Sequence, residues 1–550
     1  MIYGGELHKK AAESSFKGGI RVRISARLGD AAAERIAGAF RGWSSGGGQA
    51  QVLMTGSMGC YDLEPIIIID KPGAETICFT GAADEAAALI RDGWLSGNDA
   101  MPGLALGTLS EKEYQSIKPL SRQPLFRVQR RVATWRCGLV DPWSIGNAIA
   151  DFEGYAGYIN ALQMTPDEIL EAVNKSGLLE RDGRGEPVYA KWKAFSSIEH
   201  NDKVIVCTAF DNDIEARAAQ MLLEGDPHGV MEGLLIAAYA LGVRQVIIAV
   251  PAGTGQVRQV LERALVQMKE YGIYGGNGPE AGYQCGIELR EKPRALIAAE
   301  KTALLNSLCG LQAIPSLPGP EMLCGNPAIV TGIETIANLA ALLRLEPMTY
   351  NGASLFKDEE QGAKLMTPTG DTCQSCTMEI PFGTPIRDII HALNGPETVK
   401  AIQFGGVTSA FFGADALEKT VTYETASAAG AGLGMSLINV VRDGACAVET
   451  TEGLLRFIHE QACGKCVFCR EGVLHLLQTH DDIISGRAIY SEFSLMEEIA
   501  LQMKSGCICD IGKTAANPVL SGLRIFGADY EHHLKHAECF WRGGPSDDAL

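Results

Sequence analysis

A multidomain α/β fold is predicted by three observations. The 550 residues exceed what a single hydrophobic core organises. Short β-branched runs alternate with helical stretches through most of the chain. The last hundred residues are helical by period and carry three cysteines spaced i, i+3 and i+6. With 46% hydrophobic and 21% charged residues the composition is that of an ordinary globular protein. A net charge of −18 argues against nucleic acid and anionic membrane surfaces as partners.

Residues 1–96 alternate strand-like runs (Ile20–Ser25, Gln51–Met54, Ile66–Ile69, Thr76–Phe79) with helical stretches at Ala31–Phe40 and Ala82–Ile90. They read as an α/β domain of thioredoxin-like size. A less regular linker with Pro102, Pro119 and Pro124 spans 97–141. From 142 to 345 the pattern is βαβα, a Rossmann-like domain with a mainly parallel sheet covered on both faces. Thr165-Pro-Asp-Glu168 is a capping box with proline at the first helical position. Strands are expected at Lys203–Thr208 and Gln245–Val250, helices at Met231–Leu241 and Gln256–Tyr271. Residues 346–450 surround one helix, begun at Thr384-Pro385, with short strands, which suits a β-grasp module. Residues 451–550 complete the chain as a helical domain.

The start, Met1-Ile-Tyr-Gly-Gly, lacks the apolar core of a signal peptide. The longest apolar run, Gly233–Val243, ends at Arg244, short of a bilayer span. Sixteen cysteines in such a chain imply metal or redox chemistry rather than a disulfide framework, and a cytoplasmic location is expected.

Cys463, Cys466 and Cys469 are followed by Cys509, forty residues later (509 − 469 = 40). Thiolates hold iron–sulfur clusters, and a C-x2-C-x2-C run with a distant fourth cysteine suits a 4Fe–4S centre. Zinc is the competing metal, but zinc ribbons pair their ligands as two knuckles. Cys507 competes with Cys509, and the Asp510-Ile-Gly-Lys-Thr-Ala515 sequence that follows favours Cys509. Lys465 and Arg470 stand where positive charge would raise a cluster potential, or else are solvated helix-end charges.

Cys463-Gly-Lys-Cys466-x-x-Cys469-Arg-Glu-Gly472, with Cys509-x-x-Gly512-x-Thr-Ala-x-Asn-Pro-Val-Leu-Ser521, resembles the family of NADH-binding flavoprotein subunits of respiratory complex I, bifurcating hydrogenases and NAD-linked formate dehydrogenases. The match runs from Cys137-Gly-Leu-Val-Asp-Pro142 to the Asp529 region, about 70% of the chain. Asp226-Pro-His228, Ala303–Leu308 and Glu334–Asn338 carry it between those ends. The resemblance implies that 346–450 is the family's soluble-ligand-binding β-grasp (SLBB) domain, with Gly405-Gly406 at its hallmark turn. It also implies partner subunits, and in the family NADH reduces FMN while electrons leave through a 4Fe–4S cluster.

Departures from the family pattern fall on its cofactor segments. The flavin loop, S-G-L-R-G-R-G-G-A-G-F-P-T-G-L-K-W in the family, is here Ser176-Gly-Leu-Leu-Glu-Arg-Asp-Gly-Arg-Gly-Glu-Pro-Val-Tyr-Ala-Lys-Trp192. Glycines there let backbone N–H groups close on phosphate and ring. Glu180 and Asp182 replace two of them, and Glu186 replaces the phenylalanine. One carboxylate at ~4 Å from a phosphate costs about 4 kcal/mol at an effective dielectric near 20, roughly a thousandfold in affinity. Arg181, Arg184 and Lys191 offset part of this. Four further segments also differ: Cys207–Glu215 (with Thr208 and Phe210), Pro251–Gly253, Ala298–Thr302 and Thr331-Gly332.

In related subunits a thioredoxin-like 2Fe–2S module carries T-G-C-x-G-F-C; here Ser57 and Tyr61 hold the two cysteine positions, and Cys60 is out of register. A 2Fe–2S cluster needs four ligands, so its absence is expected and the domain reads as a docking surface. Cys373-Gln-Ser-Cys376 reads as incidental thiols before a redox or metal pair. His532, His533 and His536 read as exposed helical residues, and Gly272–Gly278 as a loop.

The expected function is an electron-transfer subunit of a multisubunit cytoplasmic oxidoreductase. Its one 4Fe–4S cluster sits on Cys463, Cys466, Cys469 and Cys509, the FMN, NAD and 2Fe–2S sites being lost. The alternative is an active NADH:acceptor oxidoreductase subunit with FMN, using Arg181, Arg184, Lys191 and Glu300. A cluster that serves only as a structural staple is a third reading.

Overall fold

Four consecutive isoleucines, Ile66 to Ile69, are all fully buried, and the reason fixes the arrangement of the N-terminal half. They lie in a five-stranded sheet ordered β2-β1-β3-β4-β5: β1 Arg21–Ser25, β2 Gln51–Thr55, β3 Ile66–Asp70, β4 Ile77–Thr80 and β5 Ala105–Thr108. Strands β1 and β2 are parallel and joined through α1 (Ala31–Arg41); the remaining pairs are antiparallel. Alternation sends Ile67 and Ile69 toward Ile36 and Phe40 of α1. Ile66 and Ile68 pack instead with Met366, Met378 and Phe382 from a later sheet. A run buried on both faces shows no alternation.

In this computed structural model the described residues are 7, 9–12, 19–45, 48–80, 84–209, 217–274, 283–345, 362–372, 374–428, 430, 432–536 and 539. The segment 97–141, expected to be irregular, supplies β5. Four residues containing Gly107 are too few to display a period. The glycine is needed because a Cβ there would fall 2.6 Å from the Leu120 Cα. The same segment is anchored at Glu379, whose carboxylate accepts from the Val132, Ala133 and Thr134 amides at 2.9–3.0 Å.

The second sheet, β8-β7-β6-β10-β9, comprises β6 Val204–Thr208, β7 Gln245–Pro251, β8 Gly286–Lys292, β9 Met322–Leu323 and β10 Asn326–Gly332. Its strands are parallel except for the short β9. Helices precede and connect them: α2 Pro166–Ser176, α3 Val188–Ser196, α4 Pro227–Leu241, α5 Gly255–Glu270, α6 Lys301–Leu308 and α7 Ile333–Arg344. The capping box at Thr165 and Glu168 forms as expected. Ile205, Val246 and Ile248 face the side covered by α4, α5 and α7. Val204, Val206 and Ile247 face Leu304, Leu305 and Leu308 of α6. A disulfide, Cys309–Cys324, joins the end of α6 to the turn before β10.

The third sheet, β12-β11-β15-β13-β14, holds β11 Ala363–Gly370, β12 Met378–Pro381, β13 Val399–Phe404, β14 Phe411–Gly413 and β15 Leu437–Arg442, with α8 (Ile386–Ala392) following β12. Gly405 turns at φ 86, and a Cβ there would lie 1.5 Å from the Gly432 carbonyl oxygen. Helices α9 Ala447–Gln461, α10 Val467–Ile484, α11 Ser491–Gly506, α12 Asp510–Thr514, α13 Asn517–Ile525 and α14 Gly527–His536 then build a core of their own. Among the described residues no helix is long and apolar enough to cross a membrane.

Candidate functional site

The two cysteine segments meet at helix starts. Cys466 is the N-cap of α10, Cys469 lies in its first turn, and Cys463 precedes it across Gly464, which turns at φ 71. Cys507 ends α11 and Cys509 is the N-cap of α12. The Gly512 amide donates to the Cys509 sulfur at 3.4 Å, and the Ile508 amide to the Cys466 sulfur at 3.5 Å. Backbone N–H groups aimed at sulfur favour thiolate, and the Gly512 one comes from the first turn of α12. Cys463 lies within electrostatic reach of Cys466 and Cys469, and Cys509 of Cys463 and Cys469.

Five thiols therefore converge rather than four. Cys507 sits against Cys469, which raises the Cys469 thiol and lowers its own. Gly512 packs tightly here: a Cβ would lie 3.0 Å from the Cys507 Cβ. Burial pushes Cys509 up to about 11, with the Gly512 amide acting in the opposite direction. A bound metal would deprotonate these thiols outright. The donor set thus fits a thiolate-bound centre. Of the two cations flagged by sequence, Lys465 donates to the Pro315 carbonyl at 2.7 Å, and Arg470 pairs with its neighbour Glu471 at 2.8 Å.

A cleft of about 470 Å³ opens beside Cys509. Its walls are the 182–186 loop, the start of α6, the glycines of 430–434, and α12. The charged lining includes six acids (Glu180, Asp182, Glu186, Glu300, Glu321, Asp510) against three bases (Arg184, Lys301, Lys513). Glu300 caps α6, accepting from the Ala303 amide at 2.7 Å. Lys301 is shared between Glu186 and Glu321 at 3.8 Å each.

Inside the loop, Glu180 is buried and its carboxylate is held by Lys191 at 2.8 Å, Thr335 at 3.0 Å and Thr331 at 3.2 Å. Lys191 also donates to the Val330 carbonyl. Arg181 is fully buried with its guanidinium over the Phe382 ring at 4.9 Å, so it does not face the cleft. Asp182 is half-buried as a residue, but its carboxyl is enclosed against Gly332. That enclosure, followed by the Glu180 charge, pushes Asp182 well above the usual carboxylate range. The Tyr423 hydroxyl donates to the Glu180 carbonyl at 2.9 Å and its ring leaves no space for a Cβ on Gly185.

Two other expected positions are redeployed in packing. Tyr61 shares a hydrogen bond with Thr377 at 2.9 Å, and the Ser57 hydroxyl accepts from the Gly59 amide at 2.8 Å. Cys60 is buried and pushed up to about 12 by that burial, and it lies near buried Cys376. Cys373, the Phe210–Glu215 stretch and Gly275–Gly278 lie outside the described residues. His533, expected to be exposed, is buried: with Tyr530 it forms the inward face of α14, three residues apart.

The NADH-ubiquinone oxidoreductase-F iron-sulfur binding region matches residues 449–533, and the Nuo51 FMN-binding domain matches 173–341. The NADP-reducing hydrogenase subunit HndC of Solidesulfovibrio fructosivorans is 30% identical over 423 residues, 75% of this chain and 85% of its own. The F 2 subunit of the NADH-quinone oxidoreductase of Rhizobium meliloti is 28% identical, covering 72% of this chain and 96% of its own. A solved NAD+-reducing [NiFe]-hydrogenase in the H2-reduced state superposes with a TM-score of 0.65 at 20% identity, over 96% of this chain and 88% of that one, a likeness of fold. Motifs, matched domains and relatives agree: the chain belongs to the family of the NADH-quinone oxidoreductase F subunits.

Proposed function

We propose that this chain is an iron–sulfur electron-transfer subunit of a multisubunit cytoplasmic oxidoreductase, without working FMN or NAD sites. Cys463, Cys466, Cys469 and Cys509 would hold one 4Fe–4S cluster, with Cys507 a buried neighbour. Such a cluster supplies one-electron transfer when bound. The reading takes 1–96 as a degenerate thioredoxin-like domain without 2Fe–2S, 97–141 as the linker that also lends β5 to its sheet, 142–345 as the Rossmann-like domain, 346–450 as the SLBB β-grasp domain, and 451–550 as the cluster domain. Val467 and Phe468, between two of the thiols, are 60% and 47% exposed, which suits electron exchange with a partner subunit there.

The observation that carries the loss of flavin is the interior of the 176–192 loop. Glu180 is buried in a closed set of hydrogen bonds, and the Asp182 carboxyl fills the space over Gly332. A phosphate or a flavin ring would have to expel both carboxyls. The residues present do not fit the group.

One observation favours a second reading, an NADH-oxidising subunit that holds FMN in altered form. The cleft beside Cys509 keeps about 470 Å³, within the ordinary range for small-molecule sites. Anaerobic titration separates the two. Under the first, NADH leaves the visible absorption of the purified chain unchanged while dithionite bleaches it. Bleaching by NADH alone overturns the first reading.

A further inference from the structure

The Cys309–Cys324 disulfide closes a surface ring between residues 15 apart in sequence. Cys324 is exposed and Cys309 is half-buried, so Cys324 is the end open to attack from solvent. Cys324 also stands at φ 49, a left-handed conformation unfavourable for a residue with a Cβ. The bond to Cys309 helps to hold it there.

The inner side of the ring meets both parts of the candidate site. Ser316, Gly319 and Glu321 line the cleft beside Cys509. The Pro315 carbonyl accepts from Lys465, the residue between Cys463 and Cys466 that precedes the latter, at 2.7 Å. Hydrogen bonds tie the same segment to α6: the Ser316 amide donates to the Thr302 hydroxyl at 2.8 Å, and the Asn306 side-chain amide to the Ile314 carbonyl at 2.7 Å. Leu311 and Leu317 are 64% and 72% exposed, so these two add little apolar burial to hold the segment once the bond opens.

We propose that Cys309–Cys324 is a thiol–disulfide exchange site for a protein dithiol of the thioredoxin class, and that exchange there releases or fixes the wall shared by the cleft and the cysteine triplet. A thiolate of the dithiol attacks the Cys324 sulfur, the Cys309–Cys324 bond breaks, and Cys309 leaves as a thiolate that takes a proton from solvent. The second thiol of the partner then attacks the partner's own sulfur in the mixed disulfide, which forms the partner's disulfide and frees Cys324 as a thiol. Two electrons and two protons pass from the dithiol to the pair, and the oxidised partner drives the reverse. Exposed disulfides belong to the labile class rather than the structural one. The site goes beyond the electron-relay reading and depends on neither cluster nor flavin.

The test uses the full-length chain, purified anaerobically with its metal content intact and equilibrated with thioredoxin at a series of reduced-to-oxidised ratios. Acid quenching, alkylation and peptide mass spectrometry read the state of each cysteine. Cys309 and Cys324 are expected to pass together from bonded to alkylated across the series, at constant iron content. A thioredoxin whose second active-site cysteine is serine should be trapped on Cys324. Chymotryptic cleavage after Leu311 or Leu317 should be faster in the reduced chain by about tenfold or more. The C309S/C324S double variant should show the fast rate at every ratio. A pair that stays bonded at every ratio is a structural staple and overturns the proposal, as does a pair that stays free at every ratio. Equal cleavage of the bonded and reduced wild-type chains overturns the release of the wall. The wild-type series decides each of these even if the double variant does not fold.

Discussion

The Asp182 carboxyl occupies the place where residue 332 would carry its side chain: a Cβ built on Gly332 would fall 1.9 Å from the Asp182 Oδ1. The two residues are 150 apart in sequence (332 − 182 = 150) yet share one volume. A bulky acid in the loop requires an empty position at the end of β10, and the chain has both. This pairing joins two of the segments in which the sequence departs from the family's motifs.

Gly332→Ala is therefore expected to destabilise the chain by about 1–3 kcal/mol, the range of overpacked sites. Asp182→Gly should remove most of that cost, because the two substitutions act on one volume and are not additive. Denaturant midpoints of the four proteins in this cycle check it. Additive effects would mean that the carboxyl does not pack there.

The pH dependence of Asp182 has a defined sign. Its folded pKa is raised by enclosure and by Glu180, so its contribution is complete below the unfolded value of 3.8 and is lost as pH rises toward the folded value. Asp182→Asn, which keeps the shape without the ionisable proton, should stabilise more at pH 8 than at pH 5. A thermal-melting series across that interval reads the difference. A pH-independent effect would contradict the enclosed carboxyl.

Lys191 and Glu180 form an enclosed ion pair at 2.8 Å, with side chains 15% and 4% exposed. Removing only the cation, as in Lys191→Met, leaves a buried carboxylate and should cost about 3–5 kcal/mol. Adding Glu180→Gln should recover part of the loss. Chemical denaturation of the single and double variants measures the coupling.

Cys509→Ser should abolish stable iron binding, as should Ser at Cys463, Cys466 or Cys469, whereas Cys507→Ser should keep about four irons per chain. Iron analysis and the spectrum of the dithionite-reduced chain check this. Iron lost from the Cys507 variant and retained by the Cys509 variant would exchange their roles.

Local signals were legible in the sequence and long-range ones were not. The capping box at Thr165 and Glu168 is written within four residues, so it can be read without the fold. The cysteine triplet is equally local, and the spacing names its chemistry. By contrast, β5 is four residues long and is recognisable only by its partner, β4. The burial of His533 depends on which face of α14 meets α9 and α10, and a ten-residue helix of mixed polarity does not declare that. Cys507 and Cys509 differ by their neighbours across α10, not by their spacing. The mutual fit of Asp182 and Gly332 required both ends of a 150-residue separation to be seen together.

Cofactor stoichiometry of the chain purified without oxygen tests the central claim most directly. About four irons and four sulfides per chain, with no flavin fluorescence released by acid denaturation, is the predicted result. One FMN per chain would contradict it.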